Sequence, residues 1–208
     1  MLDEFHVQLP GRFPDHPHRG FETITYLVPH SPGMMLHEDF SGHHGELAPA
    51  PSSRCVPPAL QQACDWTPLL AQFAQVAQDD RAEIPGDSGQ RAPASQAGNI
   101  EVIVIAGQAM GATANVFTNV PITYVHFIFS GAASHSHALP KDHNAFVYII
   151  SGEGSIGGSR VEPHSVGLLS ADGNEDGVTL ETTGEMQCVG LSGKPINEPI
   201  NSSTVHLP

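Results

Sequence analysis

The sequence predicts an all-β protein, an antiparallel sandwich or barrel, from its composition and from the spacing of its short strands. Only 14% of the 208 residues are charged, whereas 21 are glycine and 18 are proline. This turn-rich composition differs from that of a coiled coil or a helical bundle. From residue 99 onward, short runs of β-branched and aromatic residues alternate with turn signals such as Gly157-Gly158 and Asp172-Gly173. Many short strands at this spacing are typical of sandwiches and barrels.

The individual strands follow from the alternation of apolar and polar residues. Residues 1–9 are predicted to form a first strand, and a second strand carries His16 and His18 and runs to Leu27. A third strand is predicted over 34–40 and is followed by a turn at 42–45. The later predicted strands cover 100–105, 115–118, 122–129, 145–151, 166–169, 178–182 and 187–191, with a β-turn at 152–157.

Residues 48–98 have a different character from the rest of the chain. Ala, Pro, Gln and Ser dominate there, and β-branched residues are scarce. Leu69, Leu70, Phe73 and Val76 fall at helical spacing, which predicts an amphipathic helix over about 58–78. Residues 79–96 show no period and are predicted to be a loop or a segment of low order.

Charge and cysteine content exclude some classes of function. The formal net charge is −14, with only eight Lys and Arg residues, so a phosphate backbone would be repelled and direct nucleic-acid binding is not expected. No apolar run has the roughly 18–20 residues that a membrane span needs.

Cys55, Cys64 and Cys188 form no C-x-x-C pair. With no signal peptide before Asp3, we expect reduced thiols in a cytoplasmic or nuclear protein.

Two histidines one residue apart point to metal chemistry. On a strand, His16 and His18 face the same side, about 7 Å apart along the backbone. Two neutral imidazoles on one face of a strand provide half of a site for a first-row transition metal. His37 is a further candidate ligand, and a structural role for it is the alternative.

Several motifs resemble those of the pirin family, within the cupin superfamily. FPDHPHRGFET at 13–23 and HEDFSGH at 37–43 are similar to the N-terminal half of a pirin, and the resemblance covers about two-thirds of the chain. The C-terminal half contributes IAGQAMG at 105–111, LPK at 139–141, AFVYIISG at 145–152, EPH at 162–164 and GKPINEP at 193–199.

The resemblance implies a bicupin of two double-stranded β-helix, or jelly-roll, barrels with one iron in the N-terminal barrel. His16 and His18 match the first two iron ligands of the family. Glu22 occupies the cupin-wide position of a carboxylate and would orient an imidazole, serve as a third ligand, or act as a substitute catalytic base. The resemblance further implies an iron-dependent quercetin 2,3-dioxygenase that acts on a flavonol-like small molecule.

The family's other two iron ligands, in an H-x-E motif, have no counterpart here, because residues 48–98 contain no histidine. We therefore predict a partial N-terminal barrel over 1–47, an aberrant segment over 48–98, a C-terminal barrel over 99–200 and a tail over 201–208. A one-base shift of the reading frame would permit pirin-like sequence within 65–92. Hence we hypothesise that 48–98 is translated out of frame, which sequencing of the transcript would test.

This incomplete ligand set leaves two alternatives to an impaired oxygenase. One is a non-enzymatic nuclear iron-binding protein that docks a transcription regulator. The other is a non-functional product. Whichever of these functions the chain has, we expect a monomer.

The second barrel has an H-x-H of its own, SHSHA at 134–138, which resembles the first cupin motif. His143 and His164 are the residues that would complete a site there. The resemblance to pirins implies instead that this barrel is free of metal and that its strands form a core.

Overall fold

A computed structural model of the chain describes residues 2–4, 21–29, 31, 33–38, 44–47, 49, 68–74, 92–114, 116, 118, 120–169, 176–195 and 197. These residues form 17 strands and no helix, so within the described ranges no helix could cross a membrane. The strands are β1 Leu2–Glu4, β2 Phe21–Leu27, β3 Met35–Glu38, β4 His44–Leu47, β5 Pro68–Ala74, β6 Ala94–Ala97, β7 Ile100–Ala106, β8 Gln108–Ala109, β9 Ala112–Thr113, β10 Ile122–Ser130, β11 Ala133–Ala138, β12 Asn144–Gly152, β13 Gly154–Ile156, β14 Ser159–Val161, β15 Val166–Leu169, β16 Gly177–Thr182 and β17 Glu185–Gly193.

The C-terminal half is an antiparallel β-sandwich. A six-stranded sheet, in the order β15-β12-β17-β10-β7-β6, faces a four-stranded sheet in the order β11-β16-β13-β14. Both sheets contribute to one apolar core, because Phe127 and Ile149 of the first sheet share a cluster with Ile156 and Leu180 of the second. The all-β jelly-roll fold class predicted from the sequence is therefore confirmed.

The six-stranded sheet is apolar on both faces. Along β7, Val102 and Val104 belong to the core between the two sheets, whereas Ile103 and Ile105 belong to a second cluster on the opposite face. Tyr26 and Val28, from β2 and the residue after it, are buried in that second cluster. The near-continuous apolar run of β7 thus reflects a strand covered from both sides.

The N-terminal half contains a three-stranded sheet in which β5 lies between β1 and β2. Pairing is antiparallel on both sides, with Leu70 opposite both Asp3 and Thr25. The helix predicted over about 58–78 is therefore wrong where the structure describes it, at residues 68–74. A strand hydrogen-bonded on both edges satisfies its backbone groups, and this tertiary pairing overrides the helical spacing of the apolar residues.

Other differences from the predicted elements are local. His44 and Gly45, predicted in a turn, belong to β4, and half of the turn predicted at 152–157 is strand β13. Residues 116 and 118, expected in a strand, lie outside one. The aberrant segment predicted over 48–98 contains β5 and β6, and its other residues fall mostly outside the described ranges.

Candidate functional site

The predicted metal ligands come from the N-terminal half of the chain. His16 and His18 lie outside the described residues. Glu22 is the second residue of β2, in register with Phe73 of β5, and His37 is the third residue of β3, in register with Gly45. Among the residues that the structure describes, no three His, Cys, Asp or Glu side chains form a group that could hold a metal ion.

The H-x-H of the second barrel lies on β11. His135 and His137 are both packed against Phe127, with ring centroids 5.5 and 5.2 Å from its ring. The two imidazoles are 6.3 Å apart and tilted by 30°. Because side chains alternate along a strand, the spacing of two places both rings on the inner face of the four-stranded sheet.

Burial keeps this pair of imidazoles neutral. It lowers the pKa of His137 to about 4, with a smaller contribution from the nearby His135, and it also lowers the pKa of His135. Within the described part of the chain, Nε2 of His135 is buried and has no hydrogen-bond partner. Neutral imidazole nitrogens are good ligands for metals and for hydrogen-bond donors.

The other two histidines considered for this barrel lie apart from the pair. His143 shares an open cavity of about 1480 Å³ with His137, and its Nδ1 is 3.4 Å from Oγ of Ser192. His164 instead contacts the ring of Tyr148. The predicted alternative, in which His143 and His164 complete a metal site with His135 and His137, is not assembled among the described residues.

A buried polar group that the sequence analysis missed joins the two halves of the chain. Tyr26 Oη and His126 Nδ1 share a hydrogen bond of 2.8 Å, and the two rings meet edge to face at 5.7 Å. Tyr124 lies 6.0 Å from Tyr26, and its hydroxyl is buried without a partner among the described residues. Because side chains alternate along a strand, Tyr124 and His126 lie on one face of β10. No local sequence pattern indicates that His126 pairs with Tyr26, which is 100 residues away.

The electrostatics of this group are dominated by burial. Desolvation lowers the pKa of His126 to about 3, against a smaller opposing effect of the Gln187 side chain. Burial also raises the pKa of both tyrosines, and the Tyr124 and Glu101 side chains raise that of Tyr26 further. All three side chains therefore remain uncharged at neutral pH, as expected for polar groups inside an apolar cluster.

Cys188 on β17 behaves as a small buried hydrophobic residue. The residue is fully buried in the core between the two sheets, and its thiol is free. Burial raises the pKa of this thiol to about 12, so it is not a nucleophile at neutral pH.

Comparison with known proteins identifies the family. Residues 3–53 match the Pirin family, and residues 124–203 match the Pirin C-terminal cupin domain. Human Pirin is 33% identical over 216 residues, which cover 96% of this chain and 72% of the human protein.

Solved structures show the same fold. A quercetin 2,3-dioxygenase from Acinetobacter baumannii superposes with a TM-score of 0.70 at 18% identity, covering 97% of this chain and 76% of that chain. The bacterial pirin YhhW from Escherichia coli, in complex with nickel(II), gives a TM-score of 0.58 at 11% identity over 94% of this chain and 82% of that chain. The sequence matches and the shared fold agree, and this chain belongs to the pirin family of cupin proteins.

Proposed function

We propose that the chain is a metal-dependent pirin that opens a flavonol-like ring with dioxygen, as a quercetin 2,3-dioxygenase does. The observation that supports this most directly is the match to the Pirin family over residues 3–53, because that range contains His16, His18, Glu22 and His37. The metal and the activity named for the two solved structures are consistent with it. Family membership alone does not set an activity, so the proposal depends on these four residues.

The donor set fits a first-row transition metal. His16, His18 and His37 would supply imidazole nitrogens, which suit iron and nickel, and iron is the metal that the pirin resemblance implies. When bound, the metal supplies a Lewis acid and a template for a flavonol and dioxygen. Glu22 would take the proton of the flavonol hydroxyl or orient one of the imidazoles. Without the family's H-x-E, we propose that metal binding is weaker than in other pirins.

Substitution of the two histidines tests the metal site. We expect His16→Ala and His18→Ala each to lower the affinity for iron by more than about 100-fold. Loss of a residue that only orients a metal ligand typically lowers the affinity by about 10- to 100-fold, and loss of the ligand itself should have a larger effect. Metal analysis of the purified protein measures this loss. His143→Ala, which removes an imidazole from the C-terminal half, serves as the control and should retain the metal.

Oxygen uptake with quercetin then tests the activity. Stoichiometric iron with turnover that both substitutions abolish supports the oxygenase. Iron without turnover would contradict it and would favour the non-enzymatic role, in which the protein docks a transcription regulator in the nucleus. Metal content that is unchanged in both variants would overturn the proposed ligands.

A further inference from the structure

A polar cluster on the outer face of the six-stranded sheet involves none of the residues proposed as ligands in the N-terminal half, which are His16, His18 and His37. Tyr148 donates a hydrogen bond from its hydroxyl to Oε2 of Glu4, and Nδ1 of His164 lies 3.0 Å from the same hydroxyl. The His164 nitrogen is also 3.3 Å from Oε2 of Glu4. The cluster therefore joins strand β1 to strand β12 and to the turn before β15.

This cluster borders a cleft with apolar walls. The cleft has a volume of about 520 Å³, within the range of about 300–1,000 Å³ that is usual for small-molecule sites. Val166 and Leu168 on the edge strand β15 are 54% and 82% exposed, so the apolar wall is open to solvent on that side. The described residues that line it are Leu2, Glu4, Phe146, Tyr148, Val166 and Leu168.

The charge at the cleft selects the class of ligand. Among the described residues that line the cleft, Glu4 is the single formally charged one, and its side chain is 23% exposed. Both contacts of the polar cluster fall on Oε2, so within the described part of the chain Oε1 has no hydrogen-bond donor. A partly desolvated carboxylate with one oxygen unpaired among the described residues favours a cation over an anion or a neutral group.

The aromatic residues of the cleft favour the same class of ligand. Phe146 and Tyr148 lie on β12 and line the same cleft as the Glu4 carboxylate, and aromatic faces attract ammonium groups by about 0.5–2 kcal/mol. The apolar side chains of Leu2 and Leu168 provide the surface on which an uncharged body would be buried. The net charge of −14 raises the local concentration of cations around the whole molecule.

We propose that this cleft binds a small organic amine with an apolar body, whose ammonium group pairs with Oε1 of Glu4. The ring or chain of the amine packs between Phe146 and Leu168. Tyr148 and His164 hold the carboxylate in place through Oε2. This site is independent of the proposed oxygenase activity, and its binding can be measured without metal or flavonol.

Phenethylamine is a suitable probe, with 2-phenylethanol and 3-phenylpropionate as matched neutral and anionic compounds. We expect saturable binding of phenethylamine by calorimetry or by NMR titration, and little binding of the other two. Glu4→Gln should weaken the binding of phenethylamine by about 10-fold or more, the size of one charge-assisted hydrogen bond. Glu185→Gln removes the same charge from an exposed position on β17 and should leave the affinity unchanged.

A second variant keeps the test valid if Glu4→Gln fails to fold. Leu168 is largely exposed, so Leu168→Lys should not disturb folding, and its ammonium group should repel the amine and lower its affinity. Equal binding of phenethylamine and 2-phenylethanol would overturn the proposal. Absence of saturable binding, or affinity that is unchanged in both variants, would overturn it as well.

Discussion

At the scale of single residues, the hydroxyl groups of Tyr26 and Tyr124 are predicted to have opposite effects on stability. Both are buried in the cluster on the outer face of the six-stranded sheet. The hydroxyl of Tyr26 is hydrogen-bonded to His126, whereas that of Tyr124 has no partner among the described residues. A satisfied buried hydroxyl stabilises the fold modestly, while an unsatisfied one is a net cost.

This contrast gives a pair of substitutions with different outcomes. Tyr26→Phe should lower the free energy of unfolding by about 1–3 kcal/mol, because it leaves Nδ1 of His126 buried and unpaired. Tyr124→Phe should be neutral or slightly stabilising, since it removes a buried hydroxyl that makes no hydrogen bond to the described residues. Chemical unfolding of the two variants measures both values. Equal losses of stability would show that the hydrogen bond to His126 contributes nothing.

Some residues of the candidate sites can be recognised from the sequence, and others cannot. His16 and His18 stand out because their spacing and flanking residues form a local motif. His135 and His137 are recognisable for the same reason, and their inward orientation follows from strand parity. The pairing of Tyr26 with His126, and of Glu4 with Tyr148 and His164, joins residues far apart in sequence, so no local pattern contains it.

At the scale of elements, the hairpin after β12 depends on one glycine. Gly152 has φ of +79° and pairs with Met186, next to an irregularity in the register between β12 and β17. A Cβ atom added there would lie 2.1 Å from the carbonyl oxygen of Glu185. Gly158, in the following turn, has nearly the same φ of +80° but no atom within 4 Å of an added Cβ. The two glycines therefore separate backbone strain from steric overlap.

Alanine at each position tests this distinction. Gly158→Ala should cost about 1–2 kcal/mol, the strain of a left-handed conformation alone. Gly152→Ala should cost at least about 2 kcal/mol more, because the backbone of β17 must shift to admit the methyl group. Unfolding in denaturant compares the two variants. If they lose the same stability, then β17 moves freely and the tight contact has no energetic consequence.

Three of the strands that were predicted correctly share a physical property. The segments predicted at 100–105, 122–129 and 187–191 correspond to β7, β10 and β17, which are buried on both faces and rich in apolar residues. The missed strand β11 alternates serine and histidine and has little apolar signal of its own. β5 was mistaken for part of a helix because its pairing with β1 and β2, and not its local spacing, determines its conformation.

At the scale of the whole molecule, the acidic surface and the buried histidines respond differently to pH. The net charge of −14 destabilises the compact chain through self-repulsion, and this repulsion decreases as carboxylates take up protons in acid. His126 and His137, by contrast, are neutral in the folded chain with pKa values lowered to about 3 and about 4. Each takes up a proton near pH 6.5 once the chain unfolds.

The sign of the histidine effect follows from proton linkage. Between about pH 6.5 and pH 4 the unfolded chain binds more protons at these two sites, so their contribution to stability is complete above this range and is lost as the pH falls. Each site contributes a slope of up to about 1.4 kcal/mol per pH unit.

Replacing one of these histidines separates its contribution to the pH dependence of the unfolding free energy from that of the carboxylates. We expect His137→Gln to reduce the pH dependence of the unfolding free energy in this range by up to about 1.4 kcal/mol per pH unit. Val178→Ala is the matched control, because Val178 pairs with His137 across β11 and β16 and its truncation lowers stability without removing a titrating group. Denaturant unfolding at several pH values measures each slope. Parallel curves for His137→Gln and the parent chain would mean that His137 takes up its proton without unfolding.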